Sequence, residues 1–360
     1  MWRRLGLLAL LAIAALGAAA GWLDIQLDKP YRGHRPPQLY VDIPHGTSRW
    51  SIAGILAHND IIRNRFAFLL FSEWHFRARM QAGEYLIDRP VTSREVFWKI
   101  ARGQIFVHTV VIPEGWSMYD IANELDRQSI CSRGEFLIAA HDTSLISDLA
   151  PHSQSLEGFL FPSTYQFTRH TTCEQAAKRM VQDFRAVWET LDSADSQRLP
   201  QGLSTEQVVT LASLVERETP NPNERPLVAG VFYNRLRQHY PLQCDPTVQY
   251  ALELDGRTEH NIHPADLRVN SPYNTYEHRG LPPGPIANPG EASLKAALSP
   301  ATTDYMYFVA NAQGGHCFSR TLTEHNRNVS RLRRVLGADP ADPCVKRPVK
   351  AHSNARGTCE

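Results

Sequence analysis

Apolar residues along this chain form one long uninterrupted run near the N-terminus and many shorter amphipathic runs beyond it. Residues 5–23 contain no charged side chain. As an α-helix rising ~1.5 Å per residue, this run would be about 28 Å long, which is close to the thickness of the hydrocarbon core of a bilayer. The pattern predicts a helix that spans a membrane.

The charges that flank this run predict its orientation. Arg3 and Arg4 precede it and Asp24 follows it, and basic residues mark the cytoplasmic side of a membrane helix. Residues 1–4 are therefore expected in the cytoplasm and the body of the chain on the other side. Small residues between positions 14 and 21 would also suit a cleaved signal peptide. The length of the run favours a retained anchor, followed by a linker over residues 24–39.

A duplicated segment follows the apolar run. Residues 41–48 (VDIPHGTS) recur as residues 110–117 (VVIPEGWS), and the spacing of apolar residues after each segment also agrees. Each copy predicts a short strand, a turn at Pro-x-Gly, a helix capped by Ser, a second helix and a closing strand. The later expected elements are 66–75 (helix), 83–87 (strand) and 93–102 (helix) in the first copy, and 163–167 (strand) and 173–191 (helix) in the second.

A nearly apolar helix is predicted to begin after residue 204. Ser204 and Gln207 have the spacing of a capping box. Residues 208–215 are apolar apart from two hydroxyl-bearing side chains, so most of this helix is expected to be buried.

Two carboxylates lie at the end of this helix. Glu216 follows Ala212 by one turn and shares its face, whereas Glu218 is rotated away by about 200°. Apolar walls disfavour the charged form of a carboxyl group and raise its pKa, which a general acid working near neutral pH requires. Glu216 is therefore the candidate general acid. The alternative is a structural ion pair of Glu216 with one of three arginines, namely Arg217, Arg225 or Arg235.

Composition limits the other chemistries. Lys plus Arg number 38 and Asp plus Glu number 37, a net charge of +1, so no nucleic-acid partner is expected. Neither a Cys-x-x-Cys pair nor a His-Glu-x-x-His helix occurs, so no metal and no cofactor are predicted. Six cysteines in an exported body would meet an oxidising compartment, where disulfides persist. The pairings left open are Cys244–Cys317 and Cys344–Cys359.

Downstream motifs make the chain resemble a known family. In chain order they are 216–219 (ERET), 231–236 (VFYNRL), 242–248 (LQCDPTV), 271–276 (SPYNTY), 280–286 (GLPPGPI), 288–290 (NPG) and 315–318 (GHCF). Through these motifs the sequence from residue 5 to about 335 resembles the endolytic murein transglycosylases of the MltG (YceG-like) family. The resemblance implies that the first Glu of the Glu-Lys/Arg-Glu-Thr motif, Glu216, is catalytic. Cys244 departs from the Thr expected before Asp-Pro-Thr, a change between small residues.

The activity implied by the resemblance is lytic cleavage of peptidoglycan. A single Glu would protonate the glycosidic oxygen between MurNAc and GlcNAc, and its carboxylate would then accept the proton of the MurNAc C6 hydroxyl, closing a 1,6-anhydro ring. Such an enzyme is a lyase that limits the length of nascent glycan strands. The resemblance also implies a bacterial inner-membrane protein with a periplasmic catalytic domain that associates with penicillin-binding synthases.

The other motif residues are candidates for contacts with the sugars. Amide and phenol side chains can bond acetamido groups and hydroxyls, and the segment 280–289 is expected to form a rigid wall because four of its ten residues are proline. Glu157 belongs to a Glu-Gly-x-x-x-Pro segment that the family places near the cleft, although bonding to backbone amides at a turn is the competing explanation. The substrate-binding candidates are Asn234, Gln243, Asp245, Tyr273, Asn274, Tyr276 and Glu157.

The predicted fold class is α+β. An N-terminal transmembrane helix precedes LysM-like βααβ modules, and short strands and long loops are expected around the Glu216 helix. Trp50, Trp116 and Tyr119 are candidates either for sugar stacking or for core packing. The predicted divisions are 40–108 (LysM-like module), 109–200 (second LysM-like or substrate-side segment), 201–337 (catalytic domain) and 338–360 (disordered tail).

Three other functions stay open. A peptidoglycan-binding scaffold with an inert catalytic domain would be insensitive to Glu216→Gln. A muramidase would need a second carboxylate, for which Glu218 and Asp245 are available. A periplasmic protein that binds a small ligand is the third possibility, and no motif favours it.

Overall fold

The computed structural model describes residues 2–31, 33, 37–194, 199–257 and 262–335. The chain divides into two compact units: residues 1–109 with 166–171, and residues 110–165 with 172–360. Helices and short strands alternate through both, and one apolar helix lies at the N-terminus, so the mixed helix-and-strand class is confirmed. The predicted domain boundaries stay a prediction, as does the LysM-like character of the repeats.

Unit 1 contains the first copy of the repeat. Its strands β1 and β2 are antiparallel, with Leu39 opposite Ile87 and Ile43 opposite Gly83. Ser48 accepts a hydrogen bond from the amide of Ser51 and so caps the first helix of the copy. The predicted order of strand, two helices, strand and helix is confirmed. The elements are α1 (Trp2–Asp28), β1 (Leu39–Ile43), α2 (Arg49–His58), α3 (Arg65–Trp74), β2 (Gly83–Ile87) and α4 (Ser93–Ala101).

The apolar helix α1 is long enough to cross a membrane. Its stretch Leu10–Asp28 has a mean hydropathy of 1.7 and is almost entirely exposed, consistent with a single-pass anchor. The helix continues beyond the predicted end at residue 23, so part of the segment expected as a linker is helical. Leu27 is buried in the core of unit 1. The guanidinium of Arg94 forms an ion pair with the carboxylate of Asp28, with an N–O distance of 2.6 Å.

Unit 2 contains most of the second copy, and its elements also agree with the prediction. Strand β3 (His108–Val111) pairs with β4 (Thr164–Phe167). The elements between and after them are α5 (Met118–Arg127), α6 (Arg133–Ala140) and α7 (Cys173–Ala194).

The cysteine pairing differs from the two pairings left open. Cys131 and Cys173 form a disulfide with Cα atoms 5.7 Å apart. Cys244 is buried and free, so the considered Cys244–Cys317 bridge is wrong, whereas Cys317 is itself disulfide-bonded. The Cys344–Cys359 loop and the predicted tail 338–360 lie outside the described residues.

The remainder of unit 2 surrounds helix α8. Ser204 and Gln207 form the predicted capping box, and every residue from 208 to 215 is buried. Helices α9 and α11 pack against α8, so its neighbours include helices where short strands had been expected. The elements are α8 (Thr205–Glu218), α9 (Arg225–Arg237), α10 (Asp245–Leu254), α11 (Glu291–Leu298), the hairpin β5 (Tyr307–Ala310) and β6 (His316–Ser319), and α12 (Leu322–Val335).

Candidate active site

Glu216 is enclosed in an ion pair. Its carboxylate lies 2.8 Å from the guanidinium of Arg225, and the two side chains are only 5% and 7% exposed. The amide of Gly290 donates a second hydrogen bond to the same carboxylate at 3.0 Å. The pairing with Arg225, one of the structural alternatives, is therefore what the structure contains.

Arg225 also contacts a second carboxylate. Glu114 lies 3.4 Å from the same guanidinium nitrogen. Burial raises the pKa of Glu216 above its ordinary value, while the Gly290 amide and Arg225 act in the opposite direction. A Cβ at position 290 would overlap the present position of the Glu114 carboxylate, which would have to shift to accommodate a larger residue. The contacts hold Glu216 in place and leave little of it accessible to a substrate.

Glu218 occupies a different environment. Its side chain is half-buried, and burial raises its pKa to about 7. A hydrogen bond from the Cys244 thiol and the charge of Arg235 lower this pKa, whereas the negative charge of Asp245 raises it further. Arg235 bonds the carbonyl oxygens of Met306 and Leu242. Among the described residues, Glu218 forms no ion pair. With this pKa, Glu218 holds its proton over a substantial part of the neutral pH range.

Three predicted residues lie around the start of α10, next to the Cys244 that bonds Glu218. Gln243 has a positive φ of 49° and donates its amide to the carbonyl of Thr275 at 3.1 Å. Asp245 is exposed and accepts a hydrogen bond from the phenol of Tyr276, whose pKa is raised by burial, by Asp245 and by Glu218 among other groups. Asp245 and Tyr276 thus lie close enough to interact electrostatically with Glu218, whereas Gln243 is fixed by Thr275.

Cys244 fits this loop although a Thr was expected. Its amide donates to the hydroxyl of Thr275 at 3.0 Å, and that hydroxyl lies 2.9 Å from the hydroxyl of Thr247. Burial raises the pKa of the Cys244 thiol well above its usual range, so the group stays protonated and can donate to Glu218. The substitution preserves a hydrogen-bond donor beside this carboxyl group.

Glu157 stabilises a turn in the interior of unit 2. Both of its oxygens lie 3.0 Å from the amide of Met118, at the N-terminus of α5. It also accepts hydrogen bonds from Asn288 at 2.9 Å and Tyr250 at 3.2 Å. Burial raises its pKa to about 8, and its exposed fraction is 2%. These contacts match the structural explanation considered for this residue.

Asn288 connects Glu157 with the Glu216 loop. Its side chain donates to the carbonyl of Trp116 and accepts from the amide of Leu160, and Gly290 lies two residues further along. Asn288 belongs to the Asn-Pro-Gly motif but is not among the residues predicted for the site. The signal was available, because an Asn at the end of a Pro-rich loop is a common device for fixing backbone.

The three remaining candidates have mixed surroundings. The amide of Asn234 donates to the carbonyls of Thr303 and Tyr305, and that of Asn274 donates to two carbonyls of the 267–269 turn. A sugar contact by either amide would have to replace these bonds. Tyr273 is half-buried, with its ring 5.0 Å from that of Tyr250. The structure therefore groups Tyr273 with Glu157 and not with Glu218.

These features define a protein of mixed helices and strands that has an N-terminal helix consistent with a single-pass membrane anchor, and whose candidate site is a pair of carboxylates at the end of a buried helix. The sequence matches the YceG-like family over residues 41–331. The chain therefore belongs to the YceG-like family.

Relatives with assigned names agree with this membership. The endolytic murein transglycosylase of Bacillus subtilis (strain 168) is 34% identical over 303 residues, covering 80% of this chain and 82% of the relative. That of Streptococcus pneumoniae (strain D39) is 28% identical over 359 residues, covering 90% of this chain but 64% of the relative. A solved structure, a YceG-like protein of Listeria monocytogenes, is 32% identical with a TM-score of 0.54, covering 81% of this chain and 98% of that chain.

Proposed function

We propose that this chain is an endolytic lytic transglycosylase, a lyase that cuts the MurNAc-β-1,4-GlcNAc bond within peptidoglycan strands and leaves 1,6-anhydro-MurNAc ends. The similarity to two proteins named endolytic murein transglycosylase supports the activity. The observation that supports the chemistry is a carboxyl group with a pKa of about 7 at the end of the buried helix α8.

The assignment of the proton donor changes from the one made on the sequence. Glu216 faces Arg225 and the Gly290 amide, contacts that favour its ionised form and block access to it. Glu218 forms no ion pair among the described residues, and its pKa of about 7 allows it to carry a proton at neutral pH. We therefore propose that Glu218 is the general acid. Glu216 would position the surrounding loops through its bonds with Arg225 and the Gly290 amide.

In this mechanism one carboxyl group acts twice. Glu218 gives its proton to the departing glycosidic oxygen, and the C1–O bond of MurNAc breaks. The carboxylate then takes the proton of the C6 hydroxyl of the same sugar, whose oxygen closes on C1. The acetamido oxygen of the substrate stabilises the positive charge at C1 in between. The proton returns to Glu218, so the step balances without water.

Mass spectrometry of uncrosslinked glycan strands tests the proposal. The full-length protein in detergent should release fragments one water lighter than hydrolysis products. Hydrated reducing ends would instead indicate a muramidase that uses Asp245 as the second carboxylate. Binding without cleavage would indicate a scaffold.

A pair of variants distinguishes the two glutamates. Glu218→Gln should lower the rate by ~10²–10⁴-fold, the usual contribution of general acid catalysis. Glu216→Gln leaves the buried Arg225 with only the longer contact to Glu114, whereas Glu216→Gln with Arg225→Gln removes both charges of the buried pair and is tolerated better. Activity that recovers in the double variant supports a positioning role for Glu216. A double variant that folds but is inactive would return the catalytic role to Glu216.

Location and partners complete the proposal. Arg3 and Arg4 ahead of α1 support a cytoplasmic N-terminus and a periplasmic catalytic region. The βααβ order of the first copy supports a LysM-like module, and sugar binding by it is a further prediction. Association with penicillin-binding synthases is carried over from the resemblance alone.

A further inference from the structure

One face of helix α3 is apolar and largely exposed. Residues at spacings of four lie on the same side of a helix. The opposite side of α3 supplies Ala67, Phe68 and Phe71 to the core of unit 1. The exposed side of α3 and Phe76, two residues beyond its end, form what we call the aromatic face. Its members are Phe66 (61% exposed), Leu70 (57%), Trp74 (82%) and Phe76 (66%).

The membrane anchor packs against the helix that carries this face. Helix α1 contacts both α3 and α4. Arg94 of α4 bonds Asp28 at the end of α1 and lies over the ring of Phe71, 4.8 Å from its centroid. The anchor and the aromatic face therefore belong to one packed unit.

The anchor also fixes the level of the bilayer surface relative to unit 1. Ile25 is still 57% exposed, whereas Leu27 is buried in the core of unit 1. Two residues of helix correspond to ~3 Å along its axis. The apolar run of α1 ends at Leu23, four residues or ~6 Å before Leu27, so the bilayer surface lies close to unit 1.

The charges around the aromatic face suit the headgroup region. Arg63, Arg65, Arg77 and Arg79 lie between positions 63 and 79, against the single carboxylate Glu73. Arg65 lies over the ring of Trp50, 4.5 Å from its centroid, and Trp50 contacts Phe66 edge-on. Aromatic rings with basic side chains at their edge are characteristic of segments that lie in a membrane interface.

We infer that the aromatic face of α3 lies in the interface of the same bilayer that α1 enters and binds the acyl chains and anionic headgroups of its lipids. Helices of this kind sink ~5–10 Å into the headgroup boundary. The anchor and the aromatic face together give unit 1 two attachments to the membrane, so that it cannot rotate freely about a single helix.

Photocrosslinking in nanodiscs of phosphatidylethanolamine and phosphatidylglycerol tests this inference on the full-length protein. A benzophenone-bearing amino acid replaces Trp74, and lipid adducts are measured by mass spectrometry of the intact chain. Leu16, exposed within the apolar stretch of α1, is the positive control. Tyr40, half-exposed on β1, is the matched control in the same unit. Position 74 should form several-fold more lipid adduct than position 40.

Two results would overturn the inference. Equal lipid labelling at positions 74 and 40 would mean that the face is not immersed. Labelling of added glycan strands or of a second protein in preference to lipid would identify a different occupant. Because Trp74 is exposed, its replacement should leave the thermal unfolding of the chain unchanged, which is checked by circular dichroism.

Discussion

At the scale of single residues, the proposed role of Glu218 as general acid predicts that its proton affinity sets the pH range of the reaction. Burial raises its pKa to about 7, and the general acid has to be protonated before it can act. We expect kcat/KM to fall about tenfold per pH unit above pH ~7, measured on soluble strands between mildly acidic and mildly alkaline buffers. The Glu216→Gln/Arg225→Gln variant should retain this dependence. A rate that stays flat through this range would rule out Glu218 as the acid.

Protonation of Glu157 affects the stability of the folded chain. Its pKa in the folded chain is about 8, above the ordinary value of 4.5, so the folded state binds the proton more tightly than the unfolded state. This contribution is complete below pH ~4.5 and is lost as pH rises through about 8. The contribution of Glu157 to the free energy of urea unfolding should therefore decrease as pH rises from ~4.5 to about 8 and level off above that.

A Glu157→Gln variant provides the comparison. Glutamine does not titrate, so its free energy of unfolding should decrease less over the same pH interval. The change should be read from the slope with pH, because the amide also alters the bonds with Met118 and Asn288. Equal slopes in the two proteins would contradict a folded-state pKa near 8.

At the scale of elements, local signals were sufficient for most boundaries. The capping box of Ser204 and Gln207 correctly started α8, and the repeated Pro-x-Gly turn correctly predicted β1, α2 and the helices that follow. These signals depend on residues within a few positions of one another.

Contacts between distant elements could not be derived in the same way. Glu216 pairs with Arg225, which lies on a different helix, and three arginines were equally possible from the sequence. The disulfide partner of Cys131 lies 42 residues away. The packing of α9 against α8 determines which glutamate the arginine covers, and the proposed assignment of the general acid to Glu218 depends on that contact.

The Cys131–Cys173 disulfide should stabilise unit 2 through the loop it closes. It joins the segment before α6 to the start of α7 across 42 residues. In the chain-entropy description, a closed loop of this length contributes ~4 kcal/mol by restricting the unfolded chain. Replacing both cysteines with Ala should lower the free energy of urea unfolding by this order, while Cys317 keeps its own bond.

Reduction supplies the control for this prediction. Treating the wild-type protein with a thiol should reproduce the loss, and the double variant should respond less to the same treatment. A double variant as stable as the wild type would show that the disulfide contributes little to the native fold.

At the scale of the whole molecule, the anchor is also part of a folded unit. Leu27 is 3% exposed in the core formed by β1, α2, α3, β2 and α4, and the hydroxyl of Ser93 bonds the carbonyl of Gln26. These positions were predicted to belong to a linker. An apolar run indicates where a helix can cross a bilayer, but it does not indicate how far the helix continues into the next domain.

Shortening the chain at two positions tests this dual role. A protein that lacks residues 1–29 loses Leu27 and Asp28, whereas one that lacks residues 1–21 retains both. Burial of a leucine side chain is worth ~1.5–3 kcal/mol, so the shorter protein should lose about this much stability in unit 1. Hydrogen exchange at the amides of Val41 and Tyr85, on neighbouring strands of that core, reports the difference. Equal protection in the two proteins would mean that α1 only tethers unit 1 to the membrane. Faster exchange in the shorter protein would mean that the last turn of the anchor is required for the fold next to it, so that soluble forms of the enzyme should begin before residue 24.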